Sequence, residues 1–136
     1  MKYLLDTNAW IALLRQKSPL LLGRLLHHSA DDIMLRSVVL AELWYGAWRS
    51  GPANHSVNDA LIDQLRNRYA SLPFDDDAGK EYGRVRAHLS ELGQIIGPND
   101  LLIAAIALAY DATLVTHNTS EFNRVPGLLI EDWQIS

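Results

Sequence analysis

Three carboxylates stand out from their surroundings: Asp6, Glu42 and Asp100. Asp6 follows the apolar run Tyr3-Leu4-Leu5, Glu42 is the single acid in VVLAELWYGAW (38–48), and Asp100 precedes LLIAAIALA, a stretch without charge. A carboxylate in an apolar setting is costly unless it is neutralised, paired or bound to a cation. Asp6 has an alternative role as a helix cap, although Thr7 offers an equivalent cap and would leave Asp6 free. Asp100 has another, in stabilising a helix N-terminus by about 0.3–1 kcal/mol. Both alternatives stay open. Glu42 has the weakest structural excuse, because its nearest basic partner along a helix is Arg49, two turns and about 10 Å away.

A fourth polar segment, Thr116-His117-Asn118-Thr119-Ser120-Glu121-Phe122, holds two further candidates. Asn118 and Glu121 have the spacing of a capping box, which favours a helix start for Glu121. The Asn118 side-chain oxygen also suits a metal or a water, while His117 reads as a solvated loop residue. Three carboxylates from separated segments, in a chain with no cysteine, suit a hard divalent cation, with Mg²⁺ or Mn²⁺ the closest match. Such sites commonly serve phosphoryl chemistry.

The elements that must position these residues alternate. Strands are expected at Lys2–Leu5, 33–35, 72–74, 112–115 and 128–130. Helices are expected from Asp6-Thr7-Asn8 through Leu14, from Pro19 to about His28 and from Ser37, which caps the 38–48 segment. Further helices are expected over about 57–69, 76–92 and from Gly97-Pro98 to Tyr110, with a loop at 50–56. This alternation predicts one α/β domain over residues 1–136 with a mainly parallel sheet of about five short strands, helices covering both faces. In such sheets, ligands gather beyond the carboxyl ends of the strands, where Asp6 falls.

With 136 residues, 49% hydrophobic and 21% charged, the chain has the composition of an ordinary globular domain. Asp6 and Asn8 interrupt the N-terminal apolar run too early for a signal peptide. The uncharged run Leu101–Tyr110 is half the ~20 residues of a membrane span. A cytoplasmic protein without a membrane segment is therefore expected. The net charge of −4 argues against nucleic-acid binding on bulk electrostatics, but nine of the twelve basic residues are Arg, which grips phosphate in a fork, and a bound metal inverts local charge. Lys80, Arg84 and His88 recur at i+4 as a basic stripe or a plain solvated face. Trp44, Tyr45 and Trp48 suit packing in a core or dimer better than base stacking.

Five stretches together resemble the PIN domain, and within it the VapC toxins of type II toxin–antitoxin pairs: LLDTN (4–8), SVVLAELWYG (37–46), RAHLSELGQIIGPNDLLIAA (86–105), LVTHNTSEF (114–122) and RVPGLLIEDW (124–133). They span the chain and occur in family order. The resemblance implies a three-layer α/β/α sandwich and an endoribonuclease dependent on Mg²⁺ or Mn²⁺. Asp6 and Asp100 match the principal metal ligands and Glu42 the third acidic residue. Asn118 stands where a fourth carboxylate sometimes occurs and Glu121 in place of a frequent Asp, a departure that weakens the case for a second metal. Arg86 matches a recurrent position and is the candidate phosphate contact, equally explained as a surface ion pair, with Thr7 and Asn8 beside the substrate.

The expected reaction is hydrolysis of an RNA phosphodiester by metal-activated water, with Asn118 orienting water or metal. The pattern looks closest to enterobacterial-type VapCs, which implies initiator tRNA, cut in its anticodon stem-loop, as the leading substrate. It also implies a VapB-type antitoxin, a homodimer within a toxin–antitoxin hetero-oligomer, and DNA contact only through the antitoxin. Two rivals stand beside it. An aspartate-nucleophile phosphatase would want a second Asp where Asn8 stands. A non-catalytic RNA- or protein-binding module would not need all three carboxylates.

Overall fold

The computed structural model describes residues 1–135. Five strands, β1 (Lys2–Leu5), β2 (Ile33–Arg36), β3 (Ala70–Leu72), β4 (Ala112–Val115) and β5 (Ile130–Glu131), form one sheet in the order β3-β2-β1-β4-β5, every pairing parallel. Among the described residues seven α-helices accompany them: α1 (Thr7–Leu14), α2 (Pro19–Leu26), α3 (Ser37–Arg49), α4 (Pro52–Arg68), α5 (Asp76–Glu91), α6 (Pro98–Ala109) and α7 (Thr119–Phe122).

Alternation along the strands divides the core in two. Tyr3, Leu5, Ile33, Leu35 and Val115 point to one face, where Trp10, Leu21, Leu25, Val39, Leu43 and Ile62 of α1–α4 cover them. Leu4, Met34, Leu72, Ala112 and Leu114 point to the other, against Val85, Leu89, Ile103, Ile106 and Phe122 of α5–α7. A sheet buried on both faces favours apolar residues at successive positions, so KYLL, IMLR and ATLV carry no polar alternation; Lys2 is exposed at a strand start, and Arg36 and Thr113 are buried polar residues. The result is the three-layer sandwich expected from the sequence.

Several boundaries differ from expectation; Ser37, for one, is the first residue of α3 rather than its cap, which falls on Arg36 without a side-chain bond. α4 begins at Pro52, inside the stretch read as a loop, because Gly51 (φ 90°) turns the chain and the proline ring presets the first helical φ. β3 ends at Leu72 rather than Phe74, since Pro73 has no N–H to continue the ladder. β5 is confined to Ile130–Glu131 by pairing with Leu114 and Val115.

Strand order places a topological switch point between β1 and β4. The chain from β1 leaves toward β2 on one side, while β4 pairs on the other. Crevices at such points, beyond the carboxyl ends of the strands, are where parallel sheets bind ligands.

Candidate active site

Asp6 is the first residue beyond β1. Its backbone N–H donates to Val115 O at 3.1 Å, which carries the sheet one residue past the strand and fixes where the side chain emerges. Its Oδ1 accepts from Ala9 N at 2.9 Å and its Oδ2 from the Thr116 hydroxyl at 2.6 Å. Of the two alternatives the sequence left open, the structure makes Asp6 rather than Thr7 the cap of α1. The two roles are compatible, because an ionised carboxylate offers about four acceptor positions and these bonds occupy two. Asp6 is only 8% exposed, and burial raises its pKa, opposed by the bonds from Thr116 and Ala9 and by the charge of Arg36.

Asp100 arrives from the opposite direction. α6 precedes β4, so its N-terminal turn, with Asp100, lies at the same edge as the carboxyl ends of the strands. Burial, a hydrogen bond with Glu121 and the charges of Glu121 and Asp6 push the Asp100 pKa up to about 6. Glu121 does not close a capping box. Its Oε1 accepts from Gly97 N at 3.0 Å and its Oε2 from Asn118 Nδ2 at 2.5 Å, so it ties α7 to the start of α6, and Asn118 makes no side-chain cap. Burial acts to raise Glu121, but Gly97, Asn118 and Asp100 together hold it below its ordinary value. His117, read as solvated, is exposed but has a partner, Asp132 Oδ2, at 2.8 Å.

Glu42 lies half-buried in the second turn of α3, and its Oε1 accepts from Asn99 Nδ2 at 3.1 Å. The cation whose charge Glu42 influences is Arg36, the last residue of β2, whose Nε and Nη1 have no acceptor among the described residues. Arg36 is 2% exposed; burial lowers its pKa, opposed by Glu42 first and then by Asp100 and Asp6. Sequence reasoning missed this residue. The signal was present: from Ile33 to Leu43 only Arg36 and Glu42 are charged, so the argument that singled out Glu42 applies equally to Arg36.

Asp6, Thr7, Asn8, Arg36, Glu42, Asn99, Asp100 and Ile103 line one cavity of about 180 Å³. On the other side of Asp6 a second hollow of about 320 Å³ is bounded by Asn8, His117, Asn118 and Gln134. Arg86 borders neither. It lies on the exposed face of α5, with its Nη1 donating to Tyr82 Oη at 3.2 Å. Lys80, Arg84 and His88 are exposed along the same helix, with Arg84 paired to Glu81 at 2.6 Å. Trp44 packs against the core, whereas Tyr45 and Trp48 are 64% and 69% exposed.

The cavity's donor set fits a hard divalent ion. Asp6, Glu42 and Asp100 against one guanidinium leave two negative charges among the lining residues, the amount one such ion neutralises. As placed, no three acidic or histidine side chains among the described residues stand close enough together to hold an ion at once, so the fit rests on the chemistry of the lining groups. The arrangement resembles the metal-nuclease pattern in which carboxylates at a sheet edge leave room for an ion and a phosphate together.

Comparison with known proteins agrees. The sequence model of the PIN domain family matches residues 3–128. Ribonuclease VapC2 of Rickettsia felis is 38% identical over 98% of both chains, and the tRNA(fMet)-specific endonuclease VapC of Shigella flexneri is 35% identical over the same share of each. Among solved structures, VapBC2 of Rickettsia felis bound to a promoter DNA fragment superposes with a TM-score of 0.87 at 36% identity, covering 98% of this chain and 99% of that one. DNA-bound VapBC of Salmonella typhimurium gives 0.87 at 33% identity, covering 98% of each. With matches this long on both counts, the chain belongs to the PIN-domain family and, within it, to the VapC ribonucleases.

Proposed function

We propose that this ribonuclease is the toxin of a toxin–antitoxin pair and hydrolyses tRNA, with the initiator tRNA anticodon stem-loop as its leading substrate, using Mg²⁺ or Mn²⁺ as the divalent ion its family requires. The observation that carries the reading is the convergence of Asp6, Glu42 and Asp100, from three separated segments, on one cavity at the switch point. The tRNA assignment is supported by relatives named as tRNA(fMet)-specific endonucleases, from Salmonella typhimurium and Shigella flexneri.

Asp6 and Asp100 would hold the ion, and Glu42 would complete the acidic face. When bound, the ion supplies Lewis-acid activation of water and neutralises charge developing on the phosphate. Thr116 and Ala9 fix the Asp6 carboxylate in one orientation, and the Asn99 amide does the same for Glu42. Thr7 and Asn8 face the cavity as substrate contacts, and Asn118, held by Glu121, borders the neighbouring hollow as an orienting group. Water adds to phosphorus, the P–O3′ bond breaks, and the products are a 5′-phosphate and a 3′-hydroxyl.

The partner is a VapB-type antitoxin, which carries the DNA contact; the chain also pairs with a second copy and works in the cytoplasm. An apolar groove of about 290 Å³, lined by Ile11, Leu14, Leu43, Ala47 and Leu61, shares Glu42 with the acidic cavity and suits an antitoxin segment that covers the site. No helix among the described residues is long and apolar enough to cross a membrane. Incubation of the purified chain with total tRNA and Mg²⁺, beside Asp6→Asn, tests the reading. Cleavage by the parent and loss of at least about 10³-fold in the variant are expected. Intact RNA in both samples, with binding preserved, would leave a non-catalytic module.

A further inference from the structure

The residue that the nuclease pattern leaves unexplained is Arg36. Burying a guanidinium without hydrogen-bond acceptors costs free energy that a fold does not retain for packing alone. Among the described residues Nε and Nη1 both lack an acceptor, the residue is 2% exposed, and it lines the cavity that holds Asp6, Glu42 and Asp100. None of these carboxylates comes within 4 Å of it as a salt-bridge partner among the described residues; Asp6 and Glu42 instead take hydrogen bonds from Thr116, Ala9 and Asn99. The guanidinium is thus held among anions yet keeps donors free. That arrangement suits an anion that arrives and leaves.

Accepting the ribonuclease reading above, we propose that Arg36 binds the scissile RNA phosphate and supplies the second positive charge of the site, so that the chain works with one divalent ion where a two-ion nuclease would use two. Two-ion sites stabilise both the attacking and the leaving oxygens with metal. A fixed guanidinium does part of that work through charge and directed N–H groups, without having to be loaded. Among the groups lining the cavity, three carboxylates less Arg36 leave two negative charges, the charge of one divalent ion, with Glu121 beside Asp100 just outside that lining.

The test is a Mn²⁺ titration of the full metal-free chain, followed by electron paramagnetic resonance, with Arg36→Met and Arg36→Lys alongside. Expected are one ion for the parent, one for R36K, which keeps the charge, and two for R36M. Two ions in the parent, or one in R36M, would overturn the proposal. In EDTA, where nothing is cleaved, labelled tRNA should bind R36M about tenfold more weakly than the parent, and with Mg²⁺ the variant's kcat should fall about 10²–10³-fold. Equal tRNA binding would remove the phosphate contact. Circular dichroism checks folding, and if R36M does not fold, Arg36→Gln replaces it with the same expectations. A parent chain that leaves RNA intact would count against the ribonuclease reading, while the ion count would still decide this one.

Discussion

The two sides of the acidic cavity are built differently. On the β1/β4/α6 side, Asp6 is fixed by two hydrogen bonds, Thr116 is itself bonded to Asn118 N at 3.0 Å, and Glu121 links Gly97 and Asn118. On the β2/α3 side, among the described residues, Glu42 has one partner, Asn99, and Arg36 keeps Nε and Nη1 without an acceptor. A densely bonded wall holds a ligand that must always sit in one place, as metal does. A sparsely bonded wall leaves groups available for what comes and goes, as substrate does. The difference teaches that one cavity need not have one degree of preorganisation, and it can be broken from either side.

For stability and metal affinity, the largest effect is expected on the fixed wall. Thr116→Val removes the hydroxyl that donates to a buried carboxylate and keeps the shape. Loss of about 1–3 kcal/mol in stability and of 10–100-fold in Mn²⁺ affinity is expected, by denaturant unfolding and calorimetric titration. Unchanged affinity would mean that this bond serves only the α1 cap.

On the open wall, Glu42→Gln retains an oxygen for the Asn99 amide and removes only the charge. Cleavage should fall by at least about tenfold while the melting temperature moves little. An unfolded variant would make Glu42 a structural ion-pair partner, and full activity would remove it from the reaction.

The smallest effect is a pH slope. Asp100 is raised from 3.8 to about 6 in the folded chain, so between those values the metal-free folded state binds more protons than the unfolded one. Its contribution therefore favours folding at low pH and is lost as pH rises toward and through 6. After discounting for solvent screening, the loss is on the order of 1 kcal/mol. Unfolding in EDTA between pH 4 and 7 should show this slope, and Asp100→Asn should flatten it. A slope of opposite sign would mean that the carboxylate is held ionised.

The strand ATLV and the helix that follows Gly97-Pro98 were legible because local rules decide them: apolar runs for a doubly buried strand, glycine and proline for a helix start. The same holds for the choice of Asp6, Glu42 and Asp100, since an acid beside apolar residues is anomalous at the level of the chain itself. Glu121 was misread for a corresponding reason. Its spacing to Asn118 matched a cap, but its chief partner, Gly97 N, lies 24 residues away.

What the sequence by itself determined is the set of groups: three acids, an α/β alternation and the chemistry of hard oxygen ligands. What only the tertiary structure decided is how they meet. Asn99 reaches Glu42 across 57 residues and Thr116 reaches Asp6 across 110. Arg36, an unremarked strand end in sequence, becomes the buried cation of the site because parallel strand order brings the ends of β2, β1 and β4 to one edge. Identity is a property of each residue, but charge balance is a property of neighbours, and the fold chooses the neighbours.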